Sequence, residues 1–263
     1  MIPQAYITEW SRNVPWQTNE QVEQDLVICR ALVEIFKDDF LAESIAFRGG
    51  TALHKIYLQP QPRYSEDIDL VQIKAGLIGK VLDHIRNALS FLGKAKVEIG
   101  EAMATLKFKF DSEFPPIVSL RLKVETNCRE HFTVLGLEKK PFEVKSSWFS
   151  GECQLITYQL EELLGTKLRA LYQRRKGRDL YDLSKALTTI NLNPDLLIKC
   201  YKEYMNFSLE KPLPSKKEFL LNIEVKKTDP DFLGDIAALL RPDEKYNHEE
   251  AFKIVIETLI ERM

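Results

Sequence analysis

Two aspartates, Asp67 and Asp69, flank a single apolar residue in the run SEDIDLV. Alternation along a strand sends both carboxylates to one face. Held that close they repel, and one keeps its proton unless a cation sits between them. A hard divalent ion relieves the repulsion, and Mg2+ commonly takes one or two carboxylates together with substrate phosphates. Upstream, Gly49 and Gly50 carry no Cβ, so the backbone can come close to a phosphate. The N–H groups opening a helix expected from Thr51 point at the same place. Glu125, on the polar face of a later strand, is the candidate third acid. It would complete a two-metal site for phosphoryl or nucleotidyl transfer, by binding metal or by taking the proton of the attacking hydroxyl.

Taken singly, a glycine pair is usually a turn and an Asp-x-Asp a solvated strand end. Strand, glycine pair, helix, loop and Asp-x-Asp in that order point to one site. No GK[ST] follows the glycines and no third glycine stands at dinucleotide spacing, so neither a Walker A loop nor a Rossmann fingerprint is present. Arg63, in the Pro-rich connection, has a planar fork suited to phosphate. It could equally pair with Glu66 and shape the loop, and both readings stay open.

The elements that must position these groups follow from pattern. Thr18 caps a helix from Asn19, in which Val22, Leu26, Cys29, Leu32, Val33 and Phe36 recur at helical spacing. Ser44 to Phe47 reads as a strand, Thr51 to Leu58 as a two-turn helix closed by Pro60 and Pro62, and Asp67 to Gln72 as a strand. A second amphipathic helix runs from Leu77 to Leu92, with Gly93 as its stop. A hairpin follows: Leu106, Phe108 and Phe110 oppose Lys107 and Lys109, and Val118, Leu120, Leu122 and Val124 oppose Ser119, Arg121, Lys123 and Glu125. Residues 130 to 157 mix Pro, Gly, Ser and short β-like runs without a clear period. From Gln159 helical patterns dominate, broken by loops at Asn191 to Pro194, Lys211 to Ser215 and around Pro242. The fold class expected is α/β (α+β): a mixed sheet with flanking helices over residues 1–157, then a mostly helical domain over 158–263.

FRGGTALHKIY, RYSEDIDL, QDLVICRAL, KVETNCRE and ELLGTKLRALYQRRKGRDLYDL together resemble the AbiEii/AbiGii toxin family of minimal nucleotidyltransferases, within the polymerase-β-like superfamily. The resemblance covers roughly residues 20 to 185. It implies that Gly49, Gly50 and Ser65 hold a triphosphate and that Asp67 and Asp69 bind Mg2+ or Mn2+. Thr51 stands where many nucleotidyltransferases have the serine of GS, so a hydroxyl is kept. The later motifs fall on Lys167, as a partner for nucleotide phosphates, and on Asp179 and Asp182. Asp179 would assist catalysis, or lock Arg178 and the neighbouring helices. The resemblance further implies transfer of a nucleoside monophosphate from an NTP to the 3′ end of tRNA, and a toxin–antitoxin or phage-defence pair with a cognate antitoxin as partner. A protein-modifying nucleotidyltransferase, a kinase-like transferase and a non-catalytic nucleotide-binding module are the alternatives.

The totals set outer bounds. With 263 residues, 44% of them hydrophobic and 29% charged, the chain has an ordinary globular composition. A formal net charge of -2 gives no global attraction to nucleic acid. Between Lys167 and Lys185, however, seven basic residues (Lys167, Arg169, Arg174, Arg175, Lys176, Arg178, Lys185) face Asp179 and Asp182. That run reads as a patch for triphosphate and RNA, with Tyr172 and Tyr181 for stacking, or as a solvated helix face. Cys29, Cys128, Cys153 and Cys200 form no CxxC pair, and the four histidines share no motif, so no zinc spacing is present. Neither a secretory signal nor an apolar stretch of membrane-spanning length is seen, and a cytoplasmic protein without membrane contact is expected.

Overall fold

The computed structural model of the chain describes residues 2–208 and 213–263. Part of the loop expected at Lys211 to Ser215 lies outside the described residues. The chain divides into two compact units: residues 1–132 with 137–158, and residues 133–136 with 159–263.

The first unit opens with α1 (Gln4–Trp10), α2 (Asn19–Lys37) and α3 (Asp39–Ser44), then β1 (Ile45–Arg48) and α4 (Gly49–Ala52), which continues as a π-helical turn over Leu53–Tyr57. After the Pro-rich connection come β2 (Asp67–Gln72), α5 (Ile78–Ala88), β3 (Lys96–Ile99), β4 (Met103–Asp111), β5 (Ser119–Asn127), β6 (Leu137–Lys145) and β7 (Ser150–Tyr158). The strands form one seven-stranded sheet in the order β3-β4-β5-β2-β1-β7-β6. β1–β7 and β2–β5 pair in parallel and the other neighbours antiparallel.

α2 begins where its cap demands: the Thr18 side chain accepts from the backbone N–H of Gln21. Leu26, Val27, Ile28, Leu32, Val33, Ile35 and Phe36 are buried, and the helix packs against β5, β6 and β7. Each such side chain contributes about 1.5–3 kcal/mol of transfer free energy. On the same side of the sheet lie Ala104, Leu106 and Phe108 of β4 and Leu120, Leu122 and Val124 of β5, all buried. Alternation therefore leaves Lys107, Lys109, Arg121, Lys123 and Glu125 on the opposite face.

Three elements differ from the pattern-based expectation. The helix after β1 begins at Gly49 rather than Thr51, so the glycine pair is the first turn of the helix itself. The helix expected to reach Leu92 closes at Ala88 and is followed by a 3-10 turn over Ser90–Leu92, with Gly93 at φ +80°. Residues 137–158, which carried no readable period, form a hairpin of two nine-residue strands. Pro141 obscured it, yet β6 is an edge strand, where a missing N–H is tolerated.

The second unit contains α6 (Leu160–Gln173), α7 (Gly177–Thr189), α8 (Pro194–Ser208), α9 (Lys216–Lys227), α10 (Pro230–Gly234) and α11 (His248–Thr258). α6 and α8 cross closely at Gly165, where a Cβ would lie 2.7 Å from Cys200 Cβ and 2.9 Å from the backbone N of Tyr201. Residues 133–136 belong to this unit through Glu162. Its buried carboxylate accepts from Thr133 Oγ1 at 2.8 Å, Val134 N at 2.9 Å and Leu135 N at 2.8 Å, and from Tyr204 Oη at 2.7 Å. No helix among the described residues is long and apolar enough to cross a membrane.

One buried acid gives the first unit a pH dependence. Glu23 of α2 accepts from Glu113 N at 3.0 Å in the β4–β5 turn, and its Oε1 has no protein partner among the described residues. Burial pushes its pKa up to about 7. Between pH 4.5 and 7 the folded chain thus binds more protons at this site than the unfolded chain, so stability falls as pH rises and the loss is complete above 7. Glu23→Gln keeps the acceptor without the charge. It should leave the melting temperature near wild type at pH 4.5 and raise it at pH 8 by an amount corresponding to about 1–3 kcal/mol. Thermal unfolding of both proteins at the two pH values measures this.

Candidate active site

The parallel pairing of β2 and β5 decides which groups meet. Asp67 stands beside Lys123 and Asp69 beside Glu125 in register. Lys123 Nζ lies 3.3 Å from Asp67 Oδ2 and 3.0 Å from Glu125 Oε2, so one ammonium is shared by the two carboxylates. Partial burial pulls the Lys123 pKa down, but the bond to Glu125 and the charges of Asp67 and Glu125 outweigh it and hold the group above its ordinary value. Lys123 was visible in the sequence only as a polar-face residue two positions before Glu125. Its pairing follows from register, which sequence pattern does not give.

Asp69 is set by a close approach. Gly49 has φ +80°, and a Cβ on it would fall 2.0 Å from Asp69 Oδ2. Glycine is needed there both for the left-handed backbone and for room for the carboxylate. Arg48 pairs with Asp69 in the β1–β2 register and forms an ion pair with Glu130. Burial opposes its charge, but Glu130 first, and Asp69 with it, hold the guanidinium protonated. Glu130 is in turn placed by Asn127, whose Oδ1 accepts the backbone N–H groups of Arg129 and Glu130, each at 2.9 Å. Arg48 and Glu130 lie in the FRGG and KVETNCRE runs, but sequence reasoning gave neither a role.

The hydroxyl side assembles on the same strand end. Thr51 Oγ1 and Ser65 Oγ lie 2.8 Å apart, and Thr51 also donates to the backbone carbonyl of Asp67. Gly49, Gly50 and Thr51 open α4, Asp67, Asp69 and Glu125 stand on β2 and β5, and Ser65 ends the connection just before β2. Arg63 is 2% exposed and donates to Tyr64 O at 2.8 Å within its own loop, and Tyr64 packs edge-on against Trp16. Gln24 also braces the region, with Nε2 3.0 Å from Arg121 O, while Asp25 is buried between Trp10 Nε1 at 3.0 Å and Lys55 Nζ at 2.6 Å.

Three hard oxygen donors on adjacent strands fit a Mg2+ or Mn2+ ion in kind, and Asp67 and Glu125 already hold a cation between them. Among the described residues no three His, Cys, Asp or Glu side chains are gathered closely enough to hold an ion as they stand. Ion binding at this set therefore requires the Lys123 ammonium to give way.

In the second unit, Lys167 is 5% exposed, with Nζ 3.2 Å from Asp179 Oδ1 and 2.9 Å from Asp182 Oδ2. Asp179 also takes two bonds from Arg174, at 2.7 and 2.8 Å. Burial alone would raise the Asp179 pKa, but Lys167 and Arg174 pull it below the ordinary value. The basic run around these residues is an ion-pair lattice: Arg175 meets Asp229, Lys176 and Arg178 meet Asp235, and Lys185 meets Glu244. Tyr181, expected to be available for stacking, is buried, donates to Glu244 and packs edge-on against Tyr246. The helical packing that makes the second unit compact consumes these groups.

A family model described as the nucleotidyl transferase AbiEii toxin, Type IV TA system, matches residues 30–257. The chain belongs to this family. It is a nucleotidyltransferase of the toxin class, and membership implies an NTP substrate and an antitoxin counterpart. A search of curated proteins gives no match. Among solved structures the fold is similar to the nucleotidyltransferase toxin MenT4 from Mycobacterium tuberculosis, with TM-score 0.66, 16% identity, and coverage of 99% of this chain and 89% of that one. It is also similar to a protein from H. pylori assigned as a nucleotidyltransferase, with TM-score 0.54, 18% identity, and coverage of 94% and 96%.

Two substitutions test the geometry of this AbiEii-family chain. Gly49→Ala forces a Cβ onto Asp69, and transferase activity should drop at least about 100-fold while far-ultraviolet circular dichroism stays native. Lys167→Met removes the ammonium that the buried carboxylates of Asp179 and Asp182 share. Denaturant unfolding should show a loss of about 3–5 kcal/mol, partly recovered in Lys167→Met/Asp182→Asn.

Proposed function

We propose that Asp67, Asp69 and Glu125 hold Mg2+, or Mn2+, beside a triphosphate cradled by Gly49, Gly50, Thr51 and Ser65, and that the acceptor is the 3′ end of tRNA. The single observation that carries this reading is the shared cation: Asp67 and Glu125 hold the Lys123 ammonium on the strand end where the Thr51 and Ser65 hydroxyls meet. A metal bound there would neutralise charge developing on the phosphates. Gly49 and Gly50 let the backbone approach the phosphates, and Thr51, which donates to Asp67 O, holds the Ser65 hydroxyl beside them, from where Ser65 can turn its proton to a phosphate oxygen. The acceptor oxygen forms a bond to the α-phosphorus, and the bond from that phosphorus to the pyrophosphate group breaks. The hydroxyl proton passes to a carboxylate, and this reading gives that role to Glu125. Lys167 and Asp179 serve the reaction by keeping the second unit folded around a buried network of ion pairs, and Arg63 serves it by fixing the loop that carries Ser65. In the cell this reading makes the protein the cytoplasmic toxin of a phage-defence pair.

The test is incubation with each NTP, labelled at the α- or the γ-phosphate, with divalent metal and unfractionated tRNA. Label should enter RNA from the α position only, and Asp67→Ala should lower the rate about 100- to 1,000-fold. Equal transfer by wild type and Asp67→Ala would overturn the site. Transfer of the γ label would make the protein a kinase-like enzyme, and label entering protein instead of RNA would change the acceptor.

A further inference from the structure

The face of the sheet that carries Asp67 and Glu125 continues outward as a row of cations. In register, Lys96 of β3 stands opposite Lys107 of β4, and Lys107 opposite Lys123 of β5. One step further from the carboxylates, Lys109 stands opposite Arg121. Like charges directly opposite across two strands destabilise a sheet, so this pattern works against the fold that contains it. Part of the repulsion is absorbed: Glu98 takes Lys96 and Lys107, while Asp67 and Glu125 take Lys123. Lys109 and Arg121 are both exposed, and among the described residues neither is in an ion pair. Asp111, the next acid on that face, is exposed and joins no ion pair there either. This differs from the second unit, where the cations Lys167, Arg174, Arg175, Lys176, Arg178 and Lys185 each have a carboxylate.

We infer that Lys109 and Arg121, with Lys107 beside them, form a track for the phosphodiester backbone of a single-stranded RNA end whose terminal hydroxyl reaches the Asp67–Glu125 cluster. Arg121 lies two strand residues beyond Lys123, which stands beside Asp67, and four from Glu125, so about 7 Å and 13 Å along the strand from the two carboxylate positions, and the cations lead up to the cluster from outside it. Repeated charge at strand spacing on a flat, open face suits a linear polyanion better than a compact one. The inference rests on the proposed acceptor for its polarity, with the 3′ end inward, but the track itself is testable without turnover.

The experiment measures fluorescence anisotropy of a labelled twelve-nucleotide oligouridylate, and of labelled unfractionated tRNA, against the full-length protein over a range of salt. Lys109→Gln/Arg121→Gln is compared with Lys145→Gln/Lys202→Gln, which removes the same charge elsewhere. The track double variant should bind the oligonucleotide at least tenfold more weakly, with the slope of log affinity against log salt shallower by about 1.4, for two lost single-strand phosphate contacts. Its melting temperature should be unchanged or higher, since a like-charge pair is gone. In the transfer assay the KM for tRNA should rise while the KM for NTP and the kcat at saturating RNA hold. An unchanged salt slope, an equal change in the control variant, or a lost NTP affinity with intact RNA binding would each overturn the track. So would weakened binding of poly-glutamate alone, which would assign the face to an acidic protein. If the wild type binds RNA with the expected slope but transfers nothing to it, the track stands and the tRNA acceptor falls.

Discussion

Everything at the candidate site hangs on the parallel pairing of β2 with β5. Had the register slipped by one residue, Glu125 would face the core and Val124 the site. As it stands, Asp67 meets Lys123 and Asp69 meets Glu125, and the mutual repulsion of the carboxylates is met by one ammonium between two of them. A parallel pair cannot be closed by a tight turn, so the chain must travel between its two strands. α5, β3 and β4 make that journey, and β4 returns antiparallel to β5. The hairpin that completes the site is thereby the same element that lines up Lys107 with Lys123 and Lys109 with Arg121.

Much of this frame is legible in the sequence, for particular reasons. The Asp-x-Asp, the glycine pair and the hairpin alternation are short-range patterns, and strand or helix periodicity translates them directly into faces. α2 is readable because Thr18 caps it and its apolar spacing is regular. What pattern does not carry is anything fixed by a partner distant in the chain. Gly49 reads as a turn glycine or a phosphate loop, whereas its tightest constraint is the Asp69 carboxylate, twenty residues later and packed where its Cβ would be. Arg48 and Glu130 gain their meaning only from each other. The hairpin of β6 and β7 was hidden because Pro141 signals a break in a central strand but not at an edge. Residues 133–136 join the helical unit through the Glu162 carboxylate, a contact without local signature.

Charge shows the same limit from the other side. The run from Lys167 to Lys185 has seven cations and two acids within nineteen positions, and counting alone makes it the basic patch of the chain. In the folded second unit six of these cations are answered by Asp179, Asp182, Asp229, Asp235 and Glu244, three of which come from beyond the run, while Arg169 lies over the Tyr204 ring. The field that such a lattice projects is reduced by this pairing. Lys107, Lys109, Arg121 and Lys123 never formed a run in the sequence. They became neighbours only when two strands aligned them, and two of the four were left without a carboxylate.

A sheet face that keeps unpaired cations opposite one another pays a free-energy cost that Gln or Thr at the same positions would avoid. Solubility does not require them there, since the remaining surface carries both signs in abundance and the net charge is near zero. Packing does not require them either, since the opposite face holds the apolar contacts of β4 and β5. The carboxylate cluster needs a counter-charge, but Lys123 between Asp67 and Glu125 and Arg48 beside Asp69 already supply it. What Lys109 and Arg121 add is positive potential further out along the same face. The physical problem they solve is therefore one of approach: a hydroxyl on a polyanion must be brought to a cluster of negative groups that would otherwise repel it, and cations placed ahead of that cluster lower the barrier to its arrival.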